Sequence, residues 1–173
     1  MAEPVRFAPD GRIAQAEMTS CGLNGGPLKG EGYYPAYIAC NLFTDKESVY
    51  TGGSGGNGFW MDGCFPKITQ DGGDGDENPG YIANMRDSAT CGFKYFDCRG
   101  VKRVGIRVRG YAGGRFEVKT QWDGPVLGSI PVRFTNLWTD YAADIAIPDG
   151  VHALYLTYRG PGSAQLAGVE MGK

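Results

Sequence analysis

From residue 93 onward the chain runs in short stretches of alternating apolar and polar residues, each cut off by glycine or proline. That period of two admits strands and little else. In Val104-Gly-Ile-Arg-Val-Arg109, Val104, Ile106 and Val108 fall on one face, and Arg107 and Arg109 on the other. Gly113-Gly114 supplies a turn, and Phe116, Val118 and Thr120 then alternate with Glu117, Lys119 and Gln121. Asp123-Gly124-Pro125 turns the chain again before a strand over Val126 to Val132. Further strands are expected over Tyr141 to Ile147, around Leu154, Leu156 and Tyr158, and from Leu166 to Met171. No window carries a helical period with caps at both ends. The pattern predicts an all-β jelly-roll β-sandwich of two antiparallel sheets.

Composition supports the same fold. Glycine accounts for 29 of 173 residues without a collagen-like repeat, while 42% of the chain is hydrophobic, so the glycines mark turns between packed strands. A formal charge of −2 gives no bulk attraction to nucleic acid or to an anionic membrane. No apolar run is long enough to span a bilayer, and the N-terminus lacks a signal-peptide pattern. The expectation is therefore one monomeric domain over 1–173, with 1–12 a linker remnant. The cysteines, Cys21, Cys40, Cys64, Cys91 and Cys98, are odd in number and without metal-type spacing, which leaves one disulfide or none.

Residues 20–80 differ in character. Gly52-Gly-Ser-Gly-Gly-Asn-Gly58 and Asp71-Gly-Gly-Asp-Gly-Asp-Glu-Asn-Pro79 are loop sequences, with Tyr33, Tyr34, Tyr37, Phe59 and Trp60 nearby. They predict long aromatic-bearing loops at one end of a rigid sandwich. Enzyme signatures are missing: there is no HExxH or P-loop, and His152 is the only histidine. Asp71, Asp74, Asp76 and Glu77 would lie solvated on a Gly-rich loop, a poor setting for the split pKa values of glycoside hydrolysis. The stretch from Asp74 to Asn78 alternates oxygen side chains as a calcium loop does, but lacks the closing glutamate of an EF-hand.

The run from Val104 to Gly160, with its Asp123-Gly-Pro turn, Thr135-Asn-Leu-Trp138 and Asp149-Gly-Val-His-Ala-Leu-Tyr-Leu, resembles carbohydrate-binding module family 6. Upstream, Phe7-Ala-Pro-Asp-Gly-Arg-Ile-Ala-Gln-Ala-Glu17 and Tyr81-Ile-Ala-Asn-Met85 resemble the variant joined to glycoside hydrolase family 43 enzymes. The resemblance implies a non-catalytic module whose end loops hold a sugar ring between two aromatics. Tyr81 and Trp138 match those positions, each weighed against ordinary packing, and Trp60 is a candidate to enlarge the site. Apolar pyranose faces stack on such rings, and fixed polar groups take the hydroxyls. Gln165 stands where the family has asparagine and is one methylene longer.

The resemblance also implies a structural calcium, with Gln15 and Glu17 as ligands. Ala167 replaces the family's aspartate there and reduces the site's charge. A second sugar site on the concave sheet face would use Tyr111, Tyr155 or Tyr158, and Trp122 is a candidate core cover. The implied role is binding of a β-linked plant polysaccharide, xylan or arabinoxylan, for a linked, extracellular glycoside hydrolase. The alternative is an accessory domain that packs on its catalytic domain and binds no glycan, with Tyr81 and Trp138 buried.

Overall fold

The computed structural model describes residues 2–45, the backbone of 49–51 and 59–61, and residues 65–72 and 79–173. Two six-stranded sheets face each other across a continuous apolar core. The first sheet runs β13 (Gly128–Pro131), β12 (Arg115–Lys119), β15 (Val151–Arg159), β10 (Thr90–Asp97) and β3 (Leu28–Lys29), and β5 (Asn41–Phe43) also pairs with β10. The second runs β14 (Thr135–Asp144), β11 (Arg103–Ala112), β16 (Gly162–Gly172), β9 (Tyr81–Met85) and β8 (Lys67–Thr69), and β4 (Gly32–Pro35) pairs with β16. Apart from the parallel β3–β10 contact, neighbouring strands are antiparallel. Two small hairpins, β1 (Arg6–Phe7) with β2 (Ile13–Ala14) and β6 (Val49–Thr51) with β7 (Phe59–Met61), pair with neither large sheet. Among the described residues, helix is confined to the single 3-10 turns Gly22–Asn24 and Ala36–Ile38.

The alternation read from the sequence sets the inner faces. Val104, Ile106 and Val108 of β11 and Phe116 and Val118 of β12 are all buried in the core. Strand ends differ from the sequence reading: β14 starts at Thr135 rather than Tyr141, and Ile145 and Ile147 pack into the core beyond its end. Tyr158, expected as an outward aromatic, is fully buried against Phe116 and donates its hydroxyl proton to Pro161 O at 2.6 Å. Its polar tip reaches the sandwich end while its ring fills the core, which excludes it from any sheet-face site.

Tyr155 does face outward, on the first sheet, lying over Gly92, where an added Cβ would sit 2.7 Å from its ring. Trp122 covers it edge-on and meets Phe43 in turn. The result is an aromatic layer on the outer face of that sheet rather than a lid on the core. Tyr111 is on the other sheet, beside Phe134, so these tyrosines do not line one surface.

Cys21, Cys40, Cys91 and Cys98 are free thiols, and Cys64 lies outside the described residues. Burial pushes the Cys91 thiol up to about 12 and the Cys98 thiol to about 11, which keeps both protonated and unreactive at neutral pH.

Candidate functional site

Two irregularities in the second sheet build the candidate site. Between the pairs Arg107–Gly168 and Val108–Leu166, β16 carries one extra residue, Ala167. The bulge sets the small residues Ala167 and Gly168 side by side on the outer face. On the other edge of β11, Val108 pairs with Thr139 and Gly110 with Thr135, so β14 has surplus chain opposite Arg109. Trp138 belongs to that surplus. Gly110 makes the crossing with φ +126, and a Cβ there would meet Ser163 O at 2.6 Å.

Arg109 gathers the polar groups. It stands opposite Gln165 in the β11–β16 ladder and donates from Nε to Gln165 Oε1 at 2.5 Å. Its Nη2 donates to both carboxylate oxygens of Asp71 at 2.7 and 2.8 Å, and the Tyr81 hydroxyl donates to Asp71 Oδ1 at 3.0 Å. The guanidinium lies 4.3 Å from the Trp138 ring centroid and 5.1 Å from that of Tyr81. The Arg109 hydrogen bond, reinforced by Tyr81, holds the Asp71 carboxyl below its ordinary range. Burial, with Asp71 nearby, pushes the Tyr81 hydroxyl up, and Asp71 raises Arg109.

Tyr81, Trp138 and Gln165 therefore converge as the sequence reading expected, but the sandwich between the rings is closed. The two ring centroids are 5.5 Å apart at an interplanar angle of 65°, and Tyr81 is buried. A sugar between two aromatic faces needs two contact layers, about 7–8 Å in all. The rings meet each other directly, and the Arg109 guanidinium lies beside the pair, against both. The Trp60 side chain, the fourth expected residue, lies outside the described residues.

Beside this network is an open groove of about 550 Å³, lined by Tyr33, Pro35, Asp71, Pro79, Arg107, Trp138 and Ala167. Tyr33 extends from β4 across Gly168, where an added Cβ would fall 2.2 Å from the ring. The bulge's small residues thus leave space that Tyr33 and Trp138 wall. Arg107 contributes a loosely paired cation, its Nε 3.9 Å from Asp140. Tyr33, Arg107 and Arg109 were visible in the sequence only as a loop aromatic and two outward strand residues. The glycine and alanine that make the floor gave the only further sign.

The calcium residues do not fit an ion. Glu17 Oε1 accepts from Lys94 Nζ at 3.0 Å, and the Tyr95 hydroxyl contacts both of its oxygens at 3.0 and 3.1 Å. These hydrogen bonds, Lys94 first, hold the Glu17 carboxyl below its ordinary value. A cation would have to displace an ammonium group. Gln15 lines a cavity of about 370 Å³ with Glu17, whereas Ala167 lines the groove on the second sheet. Among the described residues no three His, Cys, Asp or Glu side chains gather in one place. Thermal unfolding should therefore give the same midpoint in calcium and in chelator. A calcium-dependent rise that Glu17→Gln abolishes would overturn this.

No family model matches the chain. A xylosidase/arabinosidase from Thermoclostridium stercorarium is 65% identical over 164 residues, 95% of this chain and 34% of that protein. The chain thus spans about a third of the length of this curated relative. Among solved structures, the family 6 carbohydrate-binding module CsCBM6-3 from Clostridium stercorarium, in complex with cellobiose, has a TM-score of 0.66 at 17% identity, covering 86% of this chain and 98% of its own. A family 6 module from Clostridium cellulolyticum, in complex with xylose, has a TM-score of 0.62 at 16% identity, covering 84% and 99%. A glycoside hydrolase family 43 arabinoxylan arabinofuranohydrolase from Bacillus subtilis, in complex with cellotetraose, has a TM-score of 0.63 at 14% identity, covering 99% of this chain and 33% of its own.

Proposed function

We propose that this chain, which has the fold of the family 6 carbohydrate-binding modules, binds a β-linked plant polysaccharide, xylan or arabinoxylan, without cleaving it. The groove between Tyr33 and Trp138 carries this reading. Two aromatic walls suit the apolar faces of sugar rings, and Asp71 and Arg107 are within the same groove to hydrogen-bond hydroxyls. The relative's description as a xylosidase/arabinosidase supports a pentose-containing ligand and a linked glycosidase domain, for which the reading takes family 43 and a place outside the cell. Affinity for a few sugar rings is modest, and its benefit is the raised local concentration of the linked domain at its substrate. Calorimetric titration with xylo-, arabinoxylo- and cello-oligosaccharides tests the reading, and heats indistinguishable from dilution with all three would sink it.

One observation favours the accessory-domain alternative. Tyr81 is buried, and its ring meets Trp138 directly where a sugar was expected between them. If that arrangement closes the whole end, no glycan binds and Trp138 serves packing alone. The pH dependence separates the two readings. The folded-state pKa of Asp71 is depressed, so the Asp71–Arg109 pair is intact above the ordinary value of 3.8 and is lost as pH falls through the lower folded value. Glycan affinity should hold level from neutral pH down to the ordinary carboxylate range and fall only below it. Titrations at stepped pH check this, and Asp71→Asn should remove the acid limb.

A further inference from the structure

The N-terminal hairpin presents an apolar face that nothing among the described residues covers. Phe7 and Ile13 are cross-strand partners in the β1–β2 pair, so their side chains share one face, and Val5, two residues before Phe7, extends it. These side chains are 69%, 68% and 63% exposed. An isolated two-stranded hairpin is marginal in water. This one pairs with neither large sheet, and its approach is tied down at Glu3, whose carboxylate accepts from Thr19 N and Oγ1 at 2.8 Å. A cavity of about 210 Å³ lies between this segment and the body, where Glu3, Pro4 and Arg6 face Tyr95 and Val151, and another of about 370 Å³ lies within the segment itself.

The isolated family 6 modules are matched over nearly their whole length and cover 84–86% of this chain. The match to the arabinofuranohydrolase, a chain about three times as long as the matched region, spans 99% of this chain and so takes in the hairpin. The relative that is 65% identical carries about two-thirds of its length outside the matched region.

We propose that the Val5–Phe7–Ile13 face is a docking surface for the glycosidase domain of the same polypeptide. It would fix the module against that domain instead of leaving it on a free tether. The partner surface is an apolar patch of similar extent. This inference needs a linked domain, as the reading above does, but not a glycan site on the module. Its failure is therefore separable from failure of sugar binding.

The test uses the full-length polypeptide, as wild type and as the double variant Phe7→Glu, Ile13→Glu. Hydrogen exchange should show amides in 5–14 protected in the wild type and at least tenfold faster in the variant, with a larger radius of gyration by small-angle scattering. Xylan-oligosaccharide affinity, read in the same samples, should be unchanged, which would show the sandwich still folded. Equal exchange and equal dimensions in both proteins would overturn the proposal. So would protection that depends on protein concentration, because the occupant would then be a second copy of this chain.

Discussion

Trp138→Ala is expected to abolish most of the glycan affinity and leave the fold intact. The indole forms one wall of the groove, meets Tyr81 edge-on and lies under the Arg109 guanidinium. Removing it takes away an aromatic platform worth about 2 kcal/mol of contact with an apolar sugar face. That is roughly a thirty-fold loss of affinity. Stability should change far less, since Trp138 is only partly buried and lies outside the contiguous core. Calorimetry on the folded variant gives the answer, with Trp122→Ala as the comparison. Trp122 belongs to the aromatic layer with Phe43 and Tyr155 on the other sheet. If affinity survives Trp138→Ala and falls with Trp122→Ala, the sugar binds on the outer face of the first sheet.

The part of this architecture that sequence reveals is the part governed by alternation. Val104, Ile106 and Val108 had to share a face, and one face of β11 had to be buried, so the core side of that strand followed. Tyr158 obeys the same logic, sharing the core face of β15 with Leu154 and Leu156, so an outward place for it ran against the alternation. Tyr155 lies on the other face, which is buried as well. Alternation there separates two packed surfaces rather than core from solvent. At the site, Trp138 came from the family resemblance, with Thr135 and Asn136 before it favouring exposure, and the structure has those two residues already in β14. The contact of its ring with Tyr81, beside Arg109, was not legible. A period of two says that Arg109 faces outward; it does not say that Gln165, Asp71 and two rings will enclose it.

The groove floor was hidden for a similar reason. Ala167 read as a missing calcium ligand, whereas its structural part is to be the extra residue of a bulge. A one-residue slip in register is invisible to composition, yet it decides which side chains share a face.

Phe96→Ala should have the largest effect on stability, and it also tests how the core holds the site. Phe96 is fully buried on β10, opposite His152 of β15, and meets Tyr34 edge-on with ring centroids 5.0 Å apart. Tyr34 belongs to the opposite sheet, and its hydroxyl donates across to Lys29 O of β3, in the first sheet, at 2.6 Å. The pair therefore clamps β4 onto the sandwich. Emptying a phenylalanine-sized space costs about 3–5 kcal/mol. For a domain of this size that lowers the melting midpoint by roughly 10 °C or more. Tyr33, the next residue on β4, points the other way and walls the groove, so loosening Tyr34 also loosens Tyr33. Phe96→Ala should thus reduce both stability and affinity, whereas Tyr33→Ala, at a side chain that is half-exposed, should reduce affinity alone. Denaturant unfolding and calorimetry on both variants decide it. If Phe96→Ala lowers the midpoint but leaves affinity unchanged, Tyr33 is held by Gly168 and the groove rather than by the core behind it.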